Sequence, residues 1–145
     1  MLHRFRWAIP ALTLTVAVVV APQADAQTST RQVIGNSTTM LSPAVRVGDL
    51  IFVSGQLGGR DSTIQGQTTN SLNSIRAIVE SAGTSMANVV KCTVFLVDIK
   101  DFAGMNQSYA AAFTKEPPAR STVIVAALVS AAAKVEIECI AAVAR

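Results

Sequence analysis

The sequence predicts an α+β fold: one mixed β-sheet with two helices on one of its faces. Three observations carry this. Strand-like runs rich in β-branched residues are interleaved with helix-like amphipathic runs. The last run, VEIEC from Val135 to Cys139, alternates apolar and charged residues strictly, as a strand in a covered sheet does. The 145 residues are half hydrophobic and 14% charged, which suits one globular domain.

The first 26 residues do not read as part of that domain. MLHRFR is a short basic start, and Trp7 to Pro22 is an apolar run of 16 residues. Ala24-Asp25-Ala26 then sets small residues at −3 and −1 of a cut before Gln27, the pattern of a secretory signal peptide. The run is short for a membrane span of roughly 20 residues, and it carries Pro10, so cleavage is expected rather than a membrane anchor. Residues 1–26 are therefore read as a signal peptide, 27–44 as a flexible polar lead-in, and 45–145 as the folded domain. A periplasmic or secreted protein with no stable membrane association is the expectation.

Val45-Arg46-Val47 and Leu50-Ile51-Phe52-Val53 predict a β-hairpin turning at Gly48-Asp49 and ending at Ser54-Gly55. Gln56 to Gln67, with Gly58, Gly59 and Gly66, reads as a loop. Thr68 to Ala82 places Leu72, Ile75, Ile78, Val79 and Ala82 on one helical face, and Gly83 supplies the stop. Val89 to Val97 is a β-branched, central strand after a single turn at Ser85–Asn88. Asp98 caps a second helix running to Phe113, with Phe102, Met105, Tyr109 and Phe113 buried. Lys115-Glu116-Pro117-Pro118 breaks it. Ser121–Ala126 and Lys134–Ala142 are the last two strands, giving the order ββαβαββ. The sheet face away from the helices must also be covered, which points to an oligomer.

Composition excludes several functions. His3 is the only histidine and lies in the leader, so the mature chain lacks Ser-His-Asp and Cys-His catalysis and histidine-ligated metal. Cleavage leaves ten basic and eight acidic residues, a net +2, which does not argue for nucleic-acid or membrane binding. The mature chain has no tryptophan and a single tyrosine, too few aromatics for an RNA-stacking platform. Neither a phosphate-binding lysine loop nor a dinucleotide fingerprint is present. Cys92 and Cys139 are expected as two buried thiols acting as small hydrophobes, although an oxidising compartment permits a disulfide.

Candidate chemistry sits at strand ends. Arg120 opens a strand behind two prolines that fix the chain's direction, and its planar fork matches a carboxylate. Glu136 begins the last strand and is able to hold or activate a water. Ser54-Gly55 closes the hairpin, and Asn106 lies inside the second helix, where asparagine has poor propensity. Each has a plainer alternative. Arg120 could bridge to Glu136, Glu138 or a second subunit. Glu136 and Asn106 could simply face solvent, and Ser54-Gly55 could be only a turn.

Taken together, LIFVSGQL, SLNSIRAIVESAG, VVKCTVFLVDIKDFAGMNQSYAAAF, PPARSTV and KVEIECIA resemble the YjgF/YER057c family, also called the reactive intermediate deaminase (Rid) family, from about Val45 to Val143. The resemblance implies a chorismate-mutase-like fold: a six-stranded mixed sheet with two helices on one face, assembled as a homotrimer with clefts between subunits. It implies hydrolysis of 2-imino acids, or their enamine tautomers, to 2-keto acids and ammonia, with neither cofactor nor metal. By the same resemblance, Arg120 grips the substrate carboxylate and Glu136 positions the water, while Ser54, Gly55, Asn106 and Thr122 line the cleft. Leu41 stands where a pocket tyrosine is common, and the Leu128–Lys134 link lacks a common proline. A non-catalytic module binding 2-keto acids is the second reading. A ribonuclease or translation inhibitor is the third, opposed by the absent histidine and basic patch.

Overall fold

Residues 30–143 are described by the computed structural model, so the leader and its cut before Gln27 lie outside the described residues. Six strands form one mixed sheet: β1 (Arg31–Ile34), β2 (Ala44–Val47), β3 (Leu50–Leu57), β4 (Val89–Leu96), β5 (Ala119–Ile124) and β6 (Val135–Ala142). Their order across the sheet is β1-β2-β3-β6-β4-β5. Every neighbouring pair is antiparallel except β4 and β5. A parallel pair needs a crossover, and the second helix, α2 (Phe102–Ala112), supplies it. The first helix, α1 (Ile64–Ser81), lies between β3 and β4 in sequence.

β1 corrects the reading of residues 27–44 as a flexible lead-in. It is an edge strand on which only Ile34 is buried, so it needs almost no apolar residues and leaves little pattern to read. Helix α1 begins four residues before the expected Thr68. The Thr63 hydroxyl accepts a hydrogen bond from the Gly66 amide at 3.0 Å, and Asp61 in turn accepts from the Thr63 amide and hydroxyl. Gly66 is thus part of the first turn rather than loop punctuation. Gly83, with φ of +80°, follows the helix end as expected. A 3-10 turn at Ile99–Asp101, capped by Asp98 through the Lys100 amide at 2.9 Å, precedes α2. Phe102, expected in the core, is 38% exposed as the first residue of α2.

The core lies between the sheet and the helices. Ile51, Val94, Leu96, Val135 and Ile137 from the strands meet Leu72, Ile75 and Val79 of α1 and Met105 of α2. Each such side chain contributes about 1.5–3 kcal/mol when removed from water. Cys92 and Cys139 belong to this layer, and they are joined in a disulfide. This corrects the expectation of two thiols. The residues face each other across β4 and β6 with Cα atoms 4.1 Å apart, the closely spaced kind of antiparallel pair. Forty-seven residues separate them in sequence, so only the strand register reveals the pairing. The opposite face of the sheet carries no helix, and it leaves Phe52 44% and Val123 42% exposed. No helix among the described residues is long and apolar enough to cross a membrane.

Candidate active site

Register decides which face each polar side chain takes. Arg120 pairs with Cys92 and Thr122 with Val94, so both lie on the helix-covered face. The two prolines end the connection from α2, and Arg120 is the second residue of β5 rather than a residue ahead of it. Its guanidinium carbon sits 4.6 Å from the centroid of the Tyr109 ring. Nη1 points to the Met105 sulfur at 3.9 Å. No carboxylate lies within ion-pair distance of it among the described residues, where the ion pair found is Lys134 with Asp101 at 3.6 Å. The alternative of an Arg120 bridge to Glu136 or Glu138 within the chain is therefore not realised.

Asn106 and Tyr109 are three apart on α2 and present the same face. With Arg120 they border a cavity of about 460 Å³, whose remaining walls are Ala110, Phe113, Pro117 and Pro118. Tyr109 packs against Phe113 with ring centroids 4.8 Å apart. Burial pushes its phenol up to about 12, and the Arg120 charge pulls the other way, so it is a neutral hydrogen-bond donor at ordinary pH. Two of the cavity's lining residues hold a buried polar atom with no hydrogen-bond partner, Asn106 Oδ1 and Tyr109 OH, and Thr122 Oγ1, two residues after Arg120, is a third such atom outside the lining. Each unsatisfied group costs about 1–3 kcal/mol. An arginine beside a cavity, with no carboxylate partner among the described residues, is able to bind an anion there.

Glu136 lies elsewhere. It pairs with Phe95, one step along β4 from Val94, and so takes the uncovered face. A β-bulge in β3 places Ser54 and Gly55 between the pairs Val53–Cys139 and Gln56–Ile137. Gly55 leaves room for the Glu136 carboxylate, which a Cβ at this position would overlap. The Ser54 hydroxyl donates to the Ser42 carbonyl at 2.7 Å, and the Ser54 amide donates to the Pro43 carbonyl at 3.0 Å. These bonds tie the bulge to the segment that carries Leu41, whose side chain is 59% exposed. The sequence candidates thus fall into two groups: Asn106, Arg120 and Thr122 on one side of the sheet, Ser54, Gly55 and Glu136 on the other. Tyr109 and Met105 were legible only as core, although their spacing to Asn106 puts them on the same stretch of helix.

The sequence pattern of the family described as Endoribonuclease L-PSP covers residues 30–143. The chain belongs to this family. It is the YjgF/Rid family of the sequence resemblance, as its relatives' names show. The chain is 39% identical to the 2-iminobutanoate/2-iminopropanoate deaminase of Escherichia coli over 118 residues, covering 73% of this chain and 91% of the relative. Against the Reactive Intermediate Deaminase A of Arabidopsis thaliana chloroplasts it is 40% identical over 107 residues, covering 69% of this chain and 57% of the relative. The crystal structure of the Escherichia coli YjgF gene product superposes with a TM-score of 0.72 at 35% identity, covering 77% of this chain and 98% of that one. A YjgF-family protein from Neisseria meningitidis gives a TM-score of 0.77 at 29% identity, covering 81% and 98%. The six-stranded sheet with two helices is therefore the YjgF fold.

Proposed function

We propose that this chain is an imine deaminase that acts as a homotrimer. Its substrates are 2-imino acids or their enamine tautomers, which it hydrolyses to 2-keto acids and ammonia. The observation that carries this reading is the Arg120 guanidinium, held over Tyr109 beside a cavity with no carboxylate among the described residues to pair it. The substrate carboxylate docks on Arg120 in two hydrogen bonds. Docking fixes the C=N carbon, which is electrophilic without further activation, so orientation and a placed water suffice. Water adds to that carbon, and its proton passes to the nitrogen. The tetrahedral adduct passes its hydroxyl proton to the same nitrogen as the C–N bond breaks, which releases ammonia and leaves the carbonyl, with no electrons gained or lost.

Glu136 positions the water. Because it lies across the sheet from Arg120, the Glu136 that serves a given Arg120 comes from a second copy of the chain. Ser54 and Gly55 come with it, and Asn106 and Thr122 stay with Arg120. The exposed Phe52 and Val123 on the uncovered face favour such an assembly. The secretory pattern of residues 1–26 and the Cys92–Cys139 disulfide support export to an oxidising compartment.

The test is ammonia release from imines generated in situ by an amino-acid oxidase. The expected result is acceleration over buffer that is lost in Arg120→Ala while the trimer persists. A trimer that binds 2-keto acids through Arg120 without accelerating any imine would make the chain a binding module instead.

A further inference from the structure

The carboxylate anchor is only one of the seven residues that line the cavity. Along α2 the lining side chains run from polar to apolar: Asn106 and Tyr109 first, then Ala110 and Phe113. From Asn106 to Phe113 is about 10 Å of helix at 1.5 Å per residue. Pro117 and Pro118 add further apolar lining, and it is rigid because the prolines have fixed φ and offer no amide donors. Lys115 and Glu116 fall between Phe113 and Pro117 in sequence but do not line the cavity. Apart from Arg120, no charged side chain of the same chain does.

We infer that the preferred ligand is a 2-imino or 2-keto acid with a bulky apolar side chain, branched or aromatic, seated against Ala110, Phe113, Pro117 and Pro118. The inference rests on the proposed docking of a 2-oxo or 2-imino carboxylate at Arg120. Size agrees. The cleft of a single chain, at about 460 Å³, has room for a bulky side chain even where the second copy that brings Glu136 narrows it. Polarity agrees too. A second carboxylate on the ligand would meet the prolines and Phe113 with nothing to pair it, which discriminates against dicarboxylic acids. The Tyr109–Phe113 ring pair offers an aromatic surface on which a ligand ring packs.

Calorimetric binding of pyruvate, 4-methyl-2-oxopentanoate, phenylpyruvate and 2-oxoglutarate to the full mature chain tests this directly. Binding is read independently of turnover. The expected order is phenylpyruvate and 4-methyl-2-oxopentanoate at least about tenfold tighter than pyruvate, and 2-oxoglutarate weakest. Ala110→Phe, which shrinks the apolar end, should narrow the gap between phenylpyruvate and pyruvate. Arg120→Ala should weaken all of them, which separates a seated ligand from apolar adhesion. Pyruvate bound as tightly as phenylpyruvate, or a gap untouched by Ala110→Phe, would overturn the inference, whether or not imines are hydrolysed. The expected order without imine turnover would sustain it and overturn the deaminase reading alone.

Discussion

The guanidinium of Arg120 and the ring of Tyr109 form a stacked pair, 4.6 Å from carbon to centroid, that joins strand β5 to helix α2. Stacking holds the plane of the guanidinium and leaves its edges for hydrogen bonds. At about 0.5–2 kcal/mol for such a contact, Tyr109→Leu should raise KM by roughly 2- to 30-fold with a smaller change in kcat. Tyr109→Phe keeps the ring and should retain most of the affinity. Steady-state kinetics on both variants check this, and equal losses in the two would place the effect on the hydroxyl instead.

Tyr109 is the only tyrosine of the chain, so its titration is read without interference by absorbance at the phenolate band. The folded protein should titrate near 12 rather than the ordinary value of about 10. Above the unfolded value the unfolded chain has lost a proton that the folded chain keeps. Stability from this group is therefore full below about pH 10 and declines as pH rises toward 12. Chemical denaturation at pH 9 and pH 11 should show the fall, and a phenol titrating at its ordinary value in the folded state would contradict it.

Gly55 and Glu136 are in contact without room for a methyl group. Gly55→Ala should displace the carboxylate, at little cost in stability because the atom it meets is the tip of a flexible side chain. Urea unfolding measures the stability part. Activity should fall by more than stability explains, since the Glu136 carboxylate is moved from its place; unchanged activity would remove Glu136 from the water-positioning role.

The Cys92–Cys139 bridge ties two central strands through the core. A native disulfide contributes on the order of 2–4 kcal/mol. Unfolding in reductant should show a lower midpoint than unfolding without it, and Cys92→Ala/Cys139→Ala should show no such dependence. Intact mass under oxidising and reducing conditions checks the bridge itself.

The sheet and helices were readable because most elements leave a period in the sequence: VEIEC alternates, and Leu72, Ile75 and Val79 recur at helical spacing. β1 left none, because an edge strand with one buried residue carries no apolar alternation. The start of α1 was hidden by Gly66, whose meaning depends on Asp61 and Thr63 beside it. The disulfide depends on the register of β4 against β6, which no spacing along the chain encodes. At the site, Arg120 was visible as a charge at the head of an apolar run. Tyr109 was not, because an aromatic at a helical core position has the same pattern whether it fills space or supports a cation.

Arg120 and Glu136 stand on opposite faces of one sheet, and this has a genetic consequence. In the proposed ring of three, each junction takes its arginine from one copy and its glutamate from the next. Two inactive alleles, Arg120→Ala and Glu136→Gln, would then complement each other. Any mixed ring has one junction at which both intact residues meet, so refolding an equal mixture should restore about a quarter of the wild-type activity. Cells carrying both defective copies would behave as partial revertants although neither copy can work alone.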